Sequence, residues 1–138
     1  MIIQGNTHTD QRGRVRFVND YKFESVKRFY VITHSDIDVI RAWQGHKTET
    51  KHFFVAKGVF LVNWIKIDNW KRPSEGLEIQ SKTLTDRKSE ILIIPPGHTN
   101  GFKALESDST LVVFSDKTLQ ESKEDDFRFP VDYWEFQQ

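Results

Sequence analysis

The chain has no cysteine among its 138 residues, so it can build no disulfide framework, thiolate nucleophile or cysteine-ligated zinc knuckle. That composition fits a cytoplasmic protein, the expected location. It also lacks an excess of either charge. Lys and Arg number 20, as do Asp and Glu, and the basic residues gather into no block. Phosphate backbones are neutralised by clustered cations, so nucleic acid is not an expected partner. A long apolar run is missing too. The most apolar stretch, Phe53 to Ile67, is broken by Lys57, Asn63 and Lys66, well short of the ~18 apolar residues of a membrane helix. No membrane partner is expected either. Met1-Ile2-Ile3-Gln4-Gly5 has neither the charged nor the apolar region of a signal peptide. There is no internal repeat and no low-complexity tract.

What remains is a single domain, long enough to bury a core without staples, with 37% hydrophobic and 13% aromatic residues. Runs of β-branched and aromatic residues recur at short spacing, and no sustained 3.6-residue apolar stripe competes with them. Strands are expected at Val15 to Val18, Arg28 to His34, Asp38 to Trp43, Lys51 to Lys57, Val59 to Ile67, Leu77 to Leu84, Glu90 to Ile94 and Thr110 to Ser115. About eight short strands with regular turns make an all-β sandwich or jelly roll. Lys57-Gly58 reads as a hairpin turn, and Ile94-Pro95-Pro96-Gly97 as a sharp strand end, because proline removes ladder donors and glycine accepts a positive φ. The polar, acidic stretch Gln120 to Asp126 is expected to be a short helix or a loop.

If the strand at Asp38 runs on to His46, Gln44 and His46 share a face. The spacing that follows is specific: Gln44-x-His46, four residues, Lys51, six residues, Gly58, and later Pro95-Pro96-Gly97-His98-Thr99-Asn100. It resembles the two cupin motifs, His-x-His followed by Glu and Gly, and Pro-x-Gly followed by His. The resemblance implies a cupin jelly roll. Where metal-containing cupins carry ligands, this chain has Gln44, His46, Lys51 and Asn100. A lysine ammonium repels a divalent cation and one imidazole does not make a site, so the expectation is a cupin without metal or other cofactor, and a metal-dependent dioxygenase is set aside. His52 and His98 match no motif position. His52 should point away from the face of Lys51 and serve the structure.

Asp10-x-Arg12-Gly13, Val39-Ile40-Arg41-Ala42-Trp43-Gln44, Lys51 before Gly58, and Ile94 to Phe102 resemble the metal-free dTDP-4-dehydrorhamnose 3,5-epimerases. Val26 to Ile32, with His46, is more similar to the sister dTDP-sugar 3,4-ketoisomerases. Together these stretches span about Asp10 to Asp116. The likeness implies an isomerase acting on a dTDP-4-keto-6-deoxyhexose by taking a proton beside a keto group, in deoxysugar or surface-polysaccharide synthesis. It also implies a homodimer in which Met1 to Phe17 packs against or exchanges with the partner. This chain departs from the epimerases at their two active-site histidines, replaced by Gln44 and Asn100, and at their catalytic tyrosine, where Leu111-Val112-Val113-Phe114 offers no hydroxyl.

A neutral amide does not take a proton from carbon, whereas an imidazole can. The expected roles are therefore His46 as base and Tyr30 as proton donor, with Lys51 or Arg41 as a cation for an enolate or a diphosphate. Gln44 and Asn100 would bond sugar hydroxyls. Arg12 joins the substrate-binding set through its motif, and Trp43 offers either packing or a sugar-stacking face. Strand alternation turns Arg41 away from Gln44, so its role also requires a bulge or bend near Gly45. A second functional reading stays open, in which the cupin keeps a sugar or nucleotide-sugar pocket without the chemistry.

Overall fold

The computed structural model describes residues 1–138, and all of its regular elements but one short helix are strands, paired antiparallel. One five-stranded sheet has the order β1 (Ile2–Gln4), β9 (Glu90–Ile94), β6 (Lys51–Lys57), β11 (Ser109–Ser115), β4 (Arg28–His34). The other has the order β12 (Phe127–Arg128), β5 (Ile40–His46), β10 (His98–Ala104), β7 (Val59–Lys66), β8 (Gln80–Thr85). A separate hairpin joins β2 (Asn6–Asp10) and β3 (Gly13–Phe17). The all-β jelly roll expected from the strand pattern is the fold observed.

The two sheets close on one core because their strands alternate. Phe53 and Val55 of β6, Leu111 and Val113 of β11, Phe60, Val62 and Trp64 of β7, and Phe102 and Ala104 of β10 all point inward and are buried. Strand β7 reads as a continuous apolar run for a further reason: its other face is covered as well. Leu61 and Ile65 pack with Trp43, Ile67, Trp134 and Phe136 in a second cluster on the outside of the second sheet. The C-terminal segment thus folds back across that sheet and is fixed by its aromatic residues. Gly58 turns β6 into β7 with φ +78°, and a Cβ there would stand 2.1 Å from Ser109 Oγ, so only glycine fits.

Several boundaries differ from expectation. His98 to Ala104, absent from the expected strands, is the central strand β10. Its Asn100 and Gly101 are weak strand formers that a neighbour on each side holds in place, β5 and β7. Strand β5 begins two residues later than Asp38 and extends to His46, and β8 starts at Gln80 rather than Leu77. The short helix expected in the acidic stretch is α1 (Leu119–Lys123), opened by a capping box between Thr118 and Glu121.

Candidate active site

Between the sheets, where β4 and β6 face β5 and β10, lies a cavity of about 630 Å³ whose remaining wall is the segment Arg128 to Val131. Its charged lining residues are Arg28, Arg41, Lys51 and Arg128, all cationic, and its neutral polar ones are Tyr30, Gln44 and Asn100. No carboxylate lines it, although the chain as a whole is neutral.

The register explains how Arg41 reaches it. Asn100 pairs with Gln44 and Gly101 with Ala42, so Trp43 is an extra residue in β5. This bulge, two residues before Gly45, resets the alternation and brings Arg41 and Gln44 onto the face shared by Phe102 and Asn100. Asn100 is 4% exposed and donates from Nδ2 to the Gln44 carbonyl (3.3 Å). Gln44 Nε2 donates to Asp126 Oδ1 (3.1 Å), which also accepts from Arg128 Nε (2.8 Å).

At the inner end, Lys51 Nζ lies 2.5 Å from Tyr30 Oη and 3.4 Å from Glu49 Oε2. The Arg28 guanidinium carbon and Lys51 Nζ stand 4.9 and 5.0 Å from the centre of the Tyr30 ring. Glu49 is fully buried, yet accepts from Ser115 Oγ at 2.6 Å and Ser122 Oγ at 2.9 Å. Burial alone would raise its carboxyl, but Lys51, the Ser115 hydroxyl, His46 and the Ser122 hydroxyl outweigh that and hold it below its ordinary value.

His46 does not line the cavity. Its ring is buried, with Nδ1 donating to the Asp125 carbonyl (2.7 Å) and standing 3.5 Å from Glu49 Oε1, and Nε2 without a partner. Burial first, then the Lys51 charge, push the imidazole below its ordinary value. The expected shared face of Gln44 and His46 thus divides: Gln44 borders the cavity and His46 lies behind its wall.

Arg12 is also elsewhere. It pairs with Asp10 at the exposed tip of the β2–β3 hairpin (2.6 Å). Trp43 borders the cavity but is 1% exposed, its ring packed on Trp134 and Phe136, so it offers packing and no stacking face. His52 points to the opposite side of its sheet, as expected, and its Nδ1 shares a 2.6 Å hydrogen bond with Tyr21 Oη. His98 Nδ1 donates to the carbonyls of Pro95 and Pro96.

His46, Glu49 and Asp125 bring ligand-type atoms within 4.8 Å of one another, but these groups are already engaged. Asp125 accepts backbone N–H groups of Lys47, Thr48 and Glu49, and Lys51 and Arg28 stand 3.4 and 3.7 Å from Glu49. Two cations at that range oppose a third, so the trio does not fit a metal.

The architecture has known counterparts. No protein-family model matches the chain. It is 26% identical over 132 residues, 91% of this chain and 82% of the relative, to the probable low-salt glycan biosynthesis epimerase Agl13 of Haloferax volcanii. It superposes with a TM-score of 0.77 on the dTDP-4-dehydrorhamnose 3,5-epimerase of Sulfolobus tokodaii, at 23% identity over 98% of this chain and 79% of that one. A mutant of the 3,4-ketoisomerase QdtA of Thermoanaerobacterium thermosaccharolyticum, in complex with TDP-4-keto-6-deoxyglucose, gives a TM-score of 0.73 at 23% identity over 96% and 89% of the two chains. The fold is that of nucleotide-sugar epimerases and ketoisomerases.

Sequence reasoning missed Arg28, Glu49, Asp126 and Arg128. Arg28 was visible within Val26 to Ile32, two residues before Tyr30, where strand alternation places both on one face. Glu49 lies in the turn between β5 and β6, and Arg128 reaches the site only because the C-terminal segment folds back.

Proposed function

We propose that the chain is an isomerase of dTDP-4-keto-6-deoxyhexoses, acting by proton transfer at a carbon beside the keto group, in the synthesis of deoxysugars for surface polysaccharide. The observation that carries this reading is the cavity itself: four cations and three neutral hydrogen-bonding side chains, with no acid, in a chain of zero net charge. Such a lining suits a ligand with a diphosphate and a hydroxylated ring. The matched epimerases and ketoisomerase supply the reaction class.

The proton-transfer centre is the Tyr30–Lys51 couple, in place of the His46 expected from the motif. With Oη and Nζ 2.5 Å apart, the deprotonated form of the couple takes the proton from the carbon beside the keto group. The electron pair of that C–H bond becomes the enolate, whose oxygen is held by the cationic lining, and the couple returns a proton to complete the isomer. Gln44 and Asn100 bond the sugar hydroxyls, and Arg41, the exposed rim cation, takes the diphosphate. No residue in this scheme calls for a cofactor.

The protein works in the cytoplasm as a homodimer. Cysteine is absent, and no helix is long and apolar enough to cross a membrane. The outer face of edge strand β4 leaves Phe29 and Val31 65% and 55% exposed, an apolar surface suited to a second copy.

The test is incubation with dTDP-4-keto-6-deoxyglucose in D2O, following the sugar protons by NMR. Exchange of a proton beside the keto group, with a new isomer, is expected. Binding without exchange would leave a sugar-nucleotide-binding module. No binding would overturn the proposal.

A further inference from the structure

Three strands and a helix converge on one carboxylate that the reaction itself does not touch. Glu49 sits between β5 and β6 with its side chain fully enclosed, 3.4 Å from Lys51 Nζ on β6 and 3.7 Å from Arg28 Nη2 on β4. Its oxygens are fixed by Ser115 of β11 and Ser122 of α1, and Arg28 Nη2 also donates to Ser122 Oγ (2.9 Å). Both cations tethered to Glu49 flank the Tyr30 ring, at 4.9 and 5.0 Å from its centre. Without a counter-ion they would repel each other, and Lys51, only 3% exposed, would have no other acid to hold its ammonium against the phenol.

We infer that Glu49 is the positioning residue of the proton-transfer couple: it touches no substrate, and it acts through Lys51 and Arg28 to fix Tyr30 Oη at the inner end of the cavity. This rests on the isomerase proposal above. It adds a residue that no motif marked, and it assigns the turn from Lys47 to Thr50, with the helix supplying Ser122, to catalytic geometry.

The deciding experiment is a double-mutant cycle on the exchange reaction. Glu49→Gln should lower kcat about 100-fold, within the range of acid–base contributions, while dTDP affinity stays within about threefold of wild type. Because Glu49 acts through Lys51, Glu49→Gln with Lys51→Ala should be no slower than Lys51→Ala alone. If Glu49→Gln does not fold, the paired change Ser115→Ala with Ser122→Ala loosens the same carboxylate without altering charge, and should lower kcat about tenfold. A kcat within twofold of wild type, a loss of affinity matching the loss of rate, or multiplying effects in the cycle would overturn the inference.

Ring-labelled tyrosine NMR separates this inference from the reaction. In Glu49→Gln the Tyr30 signals should shift while those of Tyr133 stay, even if the wild type isomerises nothing. Unchanged Tyr30 signals would remove Glu49 from its positioning role whatever the substrate.

Discussion

Lys51→Met tests whether the ammonium at the inner end of the cavity is a structural counter-ion as well as part of the reaction centre. Methionine preserves most of the side-chain volume and leaves the buried Glu49 with Arg28 at 3.7 Å and His46 at 3.5 Å. Stranding a buried charge costs about 3–5 kcal/mol, but a carboxylate has an escape, which is to bind a proton. From its ordinary value of 4.5, protonating Glu49 at pH 7 costs about 3.4 kcal/mol, and at pH 5.5 about 1.4 kcal/mol. These are ceilings, which the remaining Arg28 contact lowers. The sign follows from linkage. In the wild type Glu49 is held below its ordinary value, so it stabilises the fold above pH 4.5 and that contribution fades as pH falls further. In the variant its carboxyl is raised, so the penalty grows from pH 4.5 towards pH 7. We predict a loss of about 2–3 kcal/mol at pH 7, roughly 10 °C in Tm for a domain of this size, shrinking by more than half at pH 5.5. Calorimetry of both proteins at the two pH values measures it. A variant as stable as wild type at pH 7, or a loss that does not change with pH, would refute the counter-ion argument.

Four other outcomes are expected. Arg41→Ala should weaken dTDP binding about tenfold and flatten its salt dependence in calorimetric titration; equal affinity at constant salt would remove Arg41 from the diphosphate site. Gln44→His places an imidazole beside Asp126, the present partner of the Gln44 amide, and should raise the exchange rate at least tenfold; an unchanged rate would show that position 44 does not face the reacting carbon. His46 and His52 are pushed below their ordinary value of 6.5, chiefly by burial, so the unfolded chain binds protons first as pH falls through 6.5. Stability should then drop by up to about 1.4 kcal/mol per pH unit for each histidine, and a Tm that is flat from pH 7.5 to 5.5 would contradict their burial. Val31→Asp should convert the proposed homodimer into monomer in sedimentation experiments; a dimer that it leaves unaffected would move the interface away from β4, and a monomeric wild type would overturn the dimer.

The fold was legible in the sequence because its inner faces obey period-two alternation and its turns carry glycine and proline. The exceptions have specific physical causes. Strand β10 holds Asn100 and Gly101, residues that no propensity argument favours, and it exists because β5 and β7 hydrogen-bond both its edges. At the site, Tyr30, Arg41, Gln44, Lys51 and Asn100 were singled out by motif spacing and by the family resemblance, and they do line one cavity. His46 was misplaced because sharing a strand face with Gln44 does not by itself carry its ring into the cavity. The bulge at Trp43 lies before both residues and explains Arg41, but the fate of His46 is set by Asp125, whose carbonyl captures the ring from 79 positions further along the chain. Contacts of that range leave no local pattern.

The charges of the site are sorted by depth, an arrangement that suits the proposed anionic ligand in a chain of zero net charge. Every charged group on the cavity wall is cationic, while the acids that balance them stand one contact behind: Glu49 behind Lys51 and Arg28, and Asp126 beside Arg128 and Gln44. Glu49 has no exposed surface, so its field acts on Lys51 and Arg28 through protein rather than water, where it is screened least. Glu49 therefore keeps these cations in place without drawing them together across the opening, and the proposed diphosphate would meet donors that are already oriented. In that proposal Lys51 and Arg28 serve the sugar end, since their own counter-ion is built in, while Arg41 has no such partner and is left for the phosphates.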